Sequence, residues 1–400
     1  MLVLGLIKEG KTPADNRVAL TPSQCKWLLK NIGCKIIVEP SAIRCFKDAE
    51  YAAVGCILSI NLMECNILLG IKEVPITQLI DNKTYVFFSH TRKKQPYNKA
   101  LLQAMMAKGI TLIDYECLTH EDGQRIIGFG FFAGIVGAHN GMMAYGERTK
   151  LFSLQRVYAC KDYSSLVHTY FGLKLPAVKI AVTGSGRVAH GILEVMNLMD
   201  VQEVDAEEYL TKKYTYPVYV HLKGGDLYEH KVFKKYNRDD FHQHPSQYNC
   251  MFDKYLSETD ILMNGIYWDT DVPKLFSIPQ MQQSSFTIKT IADITDDAFG
   301  SVPCNLGDAT IEDPVYGVDI NTQQKTAAYL SSSVDVMAVG NLPNELPRDA
   351  SKYFGAQLIK YVLNDILNGG SDLITRATIL NKGKLTPQFH FLADYAGVAT

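Results

Sequence analysis

Residues 179–199 read KIAVTGSGRVAHGILEVMNLM. The apolar run KIAVT stops at Gly184-Ser185-Gly186, and the residues after it place apolar side chains at helical spacing. Strand, glycine turn and amphipathic helix in that order form a βα unit suited to a phosphate. Gly184 permits a tight turn, Gly186 removes a side chain where a pyrophosphate approaches, and the small Ala189 lets helix and strand close up. The helix start adds unpaired N–H groups and the positive end of a dipole. Gly184, Ser185, Gly186, Arg187 and Val188 are therefore the candidate cofactor cradle. Asp205 lies further on, in VQEVDAEE, where a second strand is expected to end and a carboxylate would accept from a ribose diol. NAD is the expected cofactor, because Asp205 would oppose the extra phosphate of NADP; Arg187, close by, leaves NADP open.

Outward from this unit the same alternation continues. LVLGLI, CKIIVEP, CNILLGIKEVP, TYVFFSH and GITLIDYE are short apolar runs bounded by Gly, Pro or polar residues, and read as strands. SQCKWLLKNIG and NKALLQAMMAKG read as helices ending at Gly33 and Gly109. Beyond the glycine loop, after a polar stretch rich in Tyr, Lys and His, DILMNGIYW and TIKTIADIT resume as strands. FFAGIVGAHNGMMAYGERTKLF reads as a buried connecting helix, and LPRDASKYFGAQLIKYVLNDILNGG as one long helix closed by Gly369 and Gly370. Near-continuous apolar strands separated by helices imply parallel sheets covered on both faces. The fold class is α/β, with two doubly wound Rossmann-like domains. Residues 1–130 with 345–400 are expected to form a substrate and catalytic domain, and 131–344 a dinucleotide-binding domain.

Composition narrows the function. Forty basic and 42 acidic residues leave a formal charge of −2, with 47% hydrophobic residues. That excludes a disordered chain and a nucleic-acid binder working by bulk charge. The nine cysteines are scattered without a CxxC pair and read as reduced thiols. MLVLGLIKEG lacks the basic region of a signal peptide, and no run of 18 apolar residues occurs, so a cytoplasmic protein off the membrane is expected. FHQHP (241–245) reads as a helix start rather than a metal site, because no third ligand is evident, and no metal is expected.

Ligands of open α/β sheets sit beyond the carboxyl ends of the strands. In the N-terminal half, Arg17, Lys72, Glu73, His90, Glu116 and Arg125 all fall near such ends. Each alone reads as a solvated charge; several at equivalent strand ends point to a site.

Together these segments resemble the lysine-forming saccharopine dehydrogenases and the lysine–2-oxoglutarate reductase half of the bifunctional lysine-degrading enzyme, within the alanine dehydrogenase and transhydrogenase superfamily. The runs that carry the resemblance are RVALTP (17–22), LLGIKEVP (68–75), KTYVFFSHT (83–91), LIDYE (112–116), GFGFFAG (128–134), TGSGRV (183–188), MNGIYW (263–268), IADIT (291–295), DATIEDP (308–314) and NLPNELPRDAS (341–351). The resemblance implies joining of the ε-amine of lysine to the carbonyl of 2-oxoglutarate and hydride reduction of the imine to saccharopine, or the reverse. It implies Lys72 and His90 as the acid–base pair and Arg17, Glu73, Glu116 and Arg125 as substrate-binding residues. Ile266 and Tyr267 of NGIYW would line the nicotinamide side, and the active site would lie in an interdomain cleft. Two departures stand out. Gly340 in VGNLP replaces an acidic residue and follows the alanine dehydrogenase spelling, and Lys11 and Thr12 straddle the position of a basic residue. An alanine-dehydrogenase-like amino-acid oxidoreductase is therefore the alternative, followed by a non-catalytic dinucleotide-sensing protein. Small-molecule substrates are the expected partners; the oligomeric state is open.

Overall fold

The computed structural model describes residues 2–121, 123–307 and 309–398. Asp308, the first residue of the DATIEDP run, lies outside them. The chain divides into two compact units, Met1–Phe129 with Pro347–Thr400, and Gly130–Leu346.

The first unit is built on β1 (Val3–Leu6), β2 (Lys35–Val38), β3 (Ile57–Leu58), β4 (Ile67–Leu69), β5 (Thr84–Phe87) and β6 (Thr111–Asp114). Their order across the sheet is β3-β2-β1-β4-β5-β6, all parallel. Ile36, Ile37, Val38, Leu68, Leu69, Val86 and Phe87 are all essentially inaccessible, which is why these strands are apolar on both faces. The order reverses between β1 and β4, so the crevice where ligands bind in such sheets opens beyond the ends of these two strands.

Helix Pro22–Asn31 begins at a capping box: Thr21 Oγ1 accepts from Gln24 N–H (3.4 Å), and Gln24 Oε1 accepts from Thr21 N–H (2.9 Å). Gly33, with φ +70°, ends it. The C-terminal segment returns to this unit. Strand Thr378–Asn381 pairs antiparallel with β6, Val18 N–H donates to Ser351 Oγ (2.9 Å), and the Phe354 ring stacks on Phe129 with centroids 4.5 Å apart. The long helix expected there is interrupted. It runs Pro347–Leu358, passes through a π-helical turn at Ile359–Leu363, and resumes at Asn364–Leu367. Gly369 and Gly370 then take positive φ.

The second unit opens with β7 (Lys179–Thr183), β8 (Gln202–Glu203) and β9 (Val218–Leu222). The sheet continues from β7 through Ile261–Asn264, Thr290–Asp293 and Ser333–Met337, all parallel, and ends with the antiparallel strands Val315–Asp319 and Lys325–Thr326. On the other side the order is β7-β9-β8. A strand does end in VQEVDAEE just before Asp205, as the sequence suggests, but at the edge of the sheet. β8 is a two-residue edge strand, and β9, from the polar stretch, pairs with β7 over five residues. The sequence FHQHP likewise ends the short helix Arg238–Gln243 instead of starting one. No helix among the described residues is long and apolar enough to cross a membrane, and the nine cysteines are free.

The helix Gly130–Thr149 is buried along most of its length and crosses the helix Arg187–Leu198. Backbone meets backbone at the crossing. A Cβ on Gly134 would overlap the carbonyl oxygen of Val188 and stand 2.9 Å from Gly191 Cα. Two glycines thus let the glycine-loop helix seat against a second helix, and neither carbonyl nor Cα can yield as a flexible side chain would. Gly134→Ala should therefore destabilise the protein by roughly 1–3 kcal/mol, as overpacked cores do. Gly186→Ala, where a Cβ would meet open space, should cost much less. Thermal unfolding of the two variants checks this; equal melting temperatures would contradict the close crossing.

Candidate active site

The switch point of the first sheet carries Glu9 just beyond β1 and Lys72 just beyond β4. Glu9 accepts two backbone hydrogen bonds across it, from Ile71 N–H (2.7 Å) and Lys72 N–H (2.8 Å). The rest of this residue is partly exposed, but its carboxyl group is buried. Burial, with the charge of Asp15, pushes Glu9 up to about 8 against the effect of the two amides. Lys72 is pulled down to about 8, first by burial and then by the Arg17 guanidinium. An amine in that range exchanges protons near neutrality.

Glu73, the next residue, accepts from Lys11 Nζ (2.9 and 3.1 Å), from His90 Nδ1 (2.8 Å) and from Asn98 Nδ2 (3.4 Å). Burial opposes ionisation there, yet the His90 and Lys11 contacts hold this carboxyl well below the usual range. Because Glu73 is ionised, His90 Nδ1 is the donor of the pair, and Nε2 is the ring nitrogen left to exchange protons. A cavity of about 240 Å³ adjoins these groups, lined by Lys11, Glu73, Pro75, Tyr97, Asn98 and Leu101. His90 follows β5 with φ +50°, the left-handed region that a non-glycine residue enters at a cost.

Arg17 is buried, and Asp15 takes it bidentately through Nε (3.0 Å) and Nη2 (2.6 Å). The guanidinium lies 4.2 Å from the centroid of the Phe129 ring, in an aromatic cluster with Phe88, Tyr115 and Phe354. Burial opposes it, but Arg17 lowers Asp15 to about 2. Glu116, buried just past β6, pairs with Arg125 Nη2. The structure thus brings Glu73 and His90 into direct contact, sets Arg17 among the charges that act on Lys72, and couples Glu116 to Arg125.

In the second unit, Gly184 follows β7 with φ +107°, and a Cβ there would stand 2.5 Å from the carbonyl oxygen of Gly265. Only glycine fits a turn so close to backbone. Gly186 caps the helix Arg187–Leu198 and has nothing within 4 Å of the place a Cβ would take. The loop therefore offers open space at a helix start, which fits a pyrophosphate. Thr183 Oγ1 donates to Asn264 Oδ1 (2.8 Å), and Asn264 Nδ2 donates to Asp293 and Ser301 (2.8 Å each), tying the neighbouring strand ends together. Ile266 is buried and Tyr267 exposed. Asp205 follows the edge strand and caps the helix Ala206–Thr211, accepting from Glu208 N–H (2.8 Å). The strand next to β7 ends instead at Leu222-Lys223, and its His221 Nε2 bonds the Gly184 carbonyl (2.7 Å).

Sequence reasoning missed Glu9, Asp15 and Asp114, and left Lys11 without a partner. Glu9 and Asp114 stand at strand ends, so the rule that found Lys72 and His90 could have found them. What hid them is that their partners are backbone amides, which leave no mark in a sequence.

Known proteins resemble the chain in agreement with this architecture. Residues 5–136 match the family model described as alanine dehydrogenase/PNT, N-terminal domain. The chain is 29% identical over 446 residues to an alpha-aminoadipic semialdehyde synthase of Arabidopsis thaliana, covering 98% of this chain and 41% of that protein. The Mus musculus protein of that name, mitochondrial, is 28% identical over 448 residues, with 98% and 47% covered. This chain therefore spans less than half the length of these relatives. A saccharopine dehydrogenase [NAD(+), L-lysine-forming] of Yarrowia lipolytica is 24% identical over 394 residues, with 92% of this chain and 94% of that one covered. Among solved structures, an L-alanine dehydrogenase superposes with a TM-score of 0.67 at 16% identity, covering 99% of this chain and all of the other. A transhydrogenase from Sinorhizobium meliloti gives 0.62 at 15%, covering 96% and 100%. The chain has the alanine dehydrogenase-like fold of two Rossmann units, and its residues 5–136 carry the match to the alanine dehydrogenase/PNT N-terminal domain.

Proposed function

We propose that the chain catalyses the reductive condensation of lysine with 2-oxoglutarate to saccharopine, or the reverse, with a nicotinamide dinucleotide. The observation that carries this reading is the pairing, at adjacent strand ends, of an amine brought to about 8 with an imidazole fixed through Nδ1 by an ionised carboxylate. Relatives named saccharopine dehydrogenase and alpha-aminoadipic semialdehyde synthase, similar over nearly the whole chain, support it.

The chemistry needs two proton-exchanging groups. The lysine ε-nitrogen attacks the carbonyl carbon, the carbonyl oxygen takes up protons and leaves as water, and the resulting imine is reduced to a secondary amine. In this reading Lys72 and His90 move the protons at that nitrogen and oxygen, Arg17 and Arg125 hold substrate carboxylates, and Glu73 and Glu116 hold an ammonium group. The dinucleotide, when bound, supplies the hydride. Gly184, Ser185, Gly186, Arg187 and Val188 would hold its phosphates, with Ile266 and Tyr267 on the nicotinamide side. In this reading Asp205, which follows the edge strand β8 with β9 between it and β7, would contact the adenosine ribose. The preference for NAD, which rests on that carboxylate, is tested by kinetics with both dinucleotides and by Asp205→Ala. A dinucleotide affinity lowered by Asp205→Ala would support the contact; an unchanged one would leave Asp205 a helix cap.

The second reading, an alanine-dehydrogenase-like oxidoreductase, keeps one observation in its favour, Gly340 before Asn341. Oxidation of NADH and NADPH with lysine plus 2-oxoglutarate, set against pyruvate plus ammonia, separates the two. The first pair alone should support turnover; activity with pyruvate and ammonia alone would move the assignment to the second reading.

Lys72→Met and His90→Gln should each lower turnover by about 10²- to 10⁴-fold with little effect on dinucleotide affinity. Near-wild-type turnover in both would sink the proposed roles. The pH dependence follows from Lys72. Its folded value is depressed, so the free amine predominates above about 8. Saccharopine oxidation, which needs a base, should rise with pH through about 8 and then level, and the residual activity of Lys72→Met should lack that limb. A profile that falls across the same window would contradict the role of Lys72 as base.

A further inference from the structure

The His90 backbone sits in the left-handed region although the residue has a side chain, and something must hold it there. The turn around it is closed by hydrogen bonds. Thr91 Oγ1 lies 2.8 Å from Ser89 Oγ, and Thr91 N–H donates to the same oxygen (3.3 Å). Ser89 is anchored in turn to Asp114, at the end of β6: its N–H donates to Asp114 Oδ2 (3.1 Å), and its hydroxyl donates to that same oxygen. The other carboxylate oxygen, Oδ1, accepts from Glu116 N–H (2.7 Å). Ser89, Thr91, Asp114 and Glu116 are all buried. One carboxylate thus fastens the end of β5, where His90 stands, to the turn that carries Glu116. Glu9 does the equivalent for Lys72 on the other flank of β4, and neither carboxylate has a place in the proton transfers described above.

We propose that Asp114 is a positioning residue for the reaction: by holding Ser89 it keeps the His90 turn in its left-handed conformation and so aims the imidazole, and by holding Glu116 it fixes the carboxylate read above as a partner of the substrate ammonium group in register with it. This rests on the reading of His90 as a proton-exchanging residue. An apolar or neutral side chain of the same size cannot substitute. In Asp114→Asn the amide keeps an acceptor for Glu116 N–H, but an NH₂ group then faces the Ser89 N–H, a donor that cannot turn away, and the Ser89 hydroxyl has no acceptor there. The turn loses its anchor while the fold keeps its volume.

The test is a double-mutant cycle in kcat, run on the full chain with Asp114→Asn, His90→Gln and the pair. Asp114→Asn should lower kcat by about 10- to 100-fold, a part of the loss on removing an acid–base group, and leave the dissociation constant of NADH or NADPH within about twofold, because the glycine loop lies in the other unit. On the His90→Gln background it should add almost nothing, since a residue that acts through His90 has nothing left to aim. Ser89→Ala, which leaves the Ser89 N–H bond to Asp114 and removes the hydroxyl's bonds to Asp114 and Thr91, runs the same cycle and serves if Asp114→Asn does not fold. Independent, multiplicative losses, or wild-type kcat in Asp114→Asn beside an impaired His90→Gln, would overturn the proposal alone. Wild-type turnover in His90→Gln would overturn the reading of His90, and the proposal with it.

Discussion

Parallel strands end in backbone amides that the sheet leaves without partners, and in the first unit buried carboxylates take them up. Glu9 accepts from Ile71 and Lys72; Asp114 accepts from Ser89 and Glu116. Without such acceptors, buried N–H groups would each cost on the order of 1–3 kcal/mol. The arrangement also fixes where the next side chain points. Lys72 and His90 both follow residues so held, and Glu73, bonded to His90 and Lys11, joins the two ends. The candidate chemistry therefore depends on carboxylates that perform none of it.

The second unit solves a different problem, the approach of backbone to backbone. Gly184 lies against Gly265, and Gly134 against Val188 and Gly191. The first contact closes the turn after β7; the second seats the helix whose start faces the open space over Gly186. Neither would survive a side chain. The two devices, amide-binding carboxylates in one unit and side-chain-free crossings in the other, both serve to place a few polar groups at strand ends with little freedom.

Much of this was legible in the sequence. The strands β1, β2, β4, β5, β6 and β7 announced themselves because each is buried on both faces and so reads as an unbroken apolar run. The glycine loop was equally plain. β9 was not, because VYVHL alternates with Tyr219 and His221 and stands between YTYP and KGGD, so its neighbours made it read as part of a polar stretch. The pairing of charges was also hidden. Glu73 bonds Lys11 and His90 rather than Lys72, Arg17 belongs to Asp15, and these partners lie from two to more than sixty residues apart. Periodicity reports which face of an element is buried, and it carries no information on which charge meets which across a sheet.

Reductive condensation of lysine with 2-oxoglutarate is the function proposed for this chain. It is tested most directly by isotope transfer. The protein is incubated with 2-oxoglutarate, lysine carrying ¹⁵N at its ε-position, and a nicotinamide dinucleotide deuterated at the transferring carbon, and the products are analysed by mass spectrometry. A single product that retains the ¹⁵N and gains one deuterium at the former keto carbon is the predicted result. Deuterium found only in alanine when pyruvate and ammonia are supplied, or a dinucleotide that binds and transfers no deuterium to any product of these substrates, would rule out the condensation.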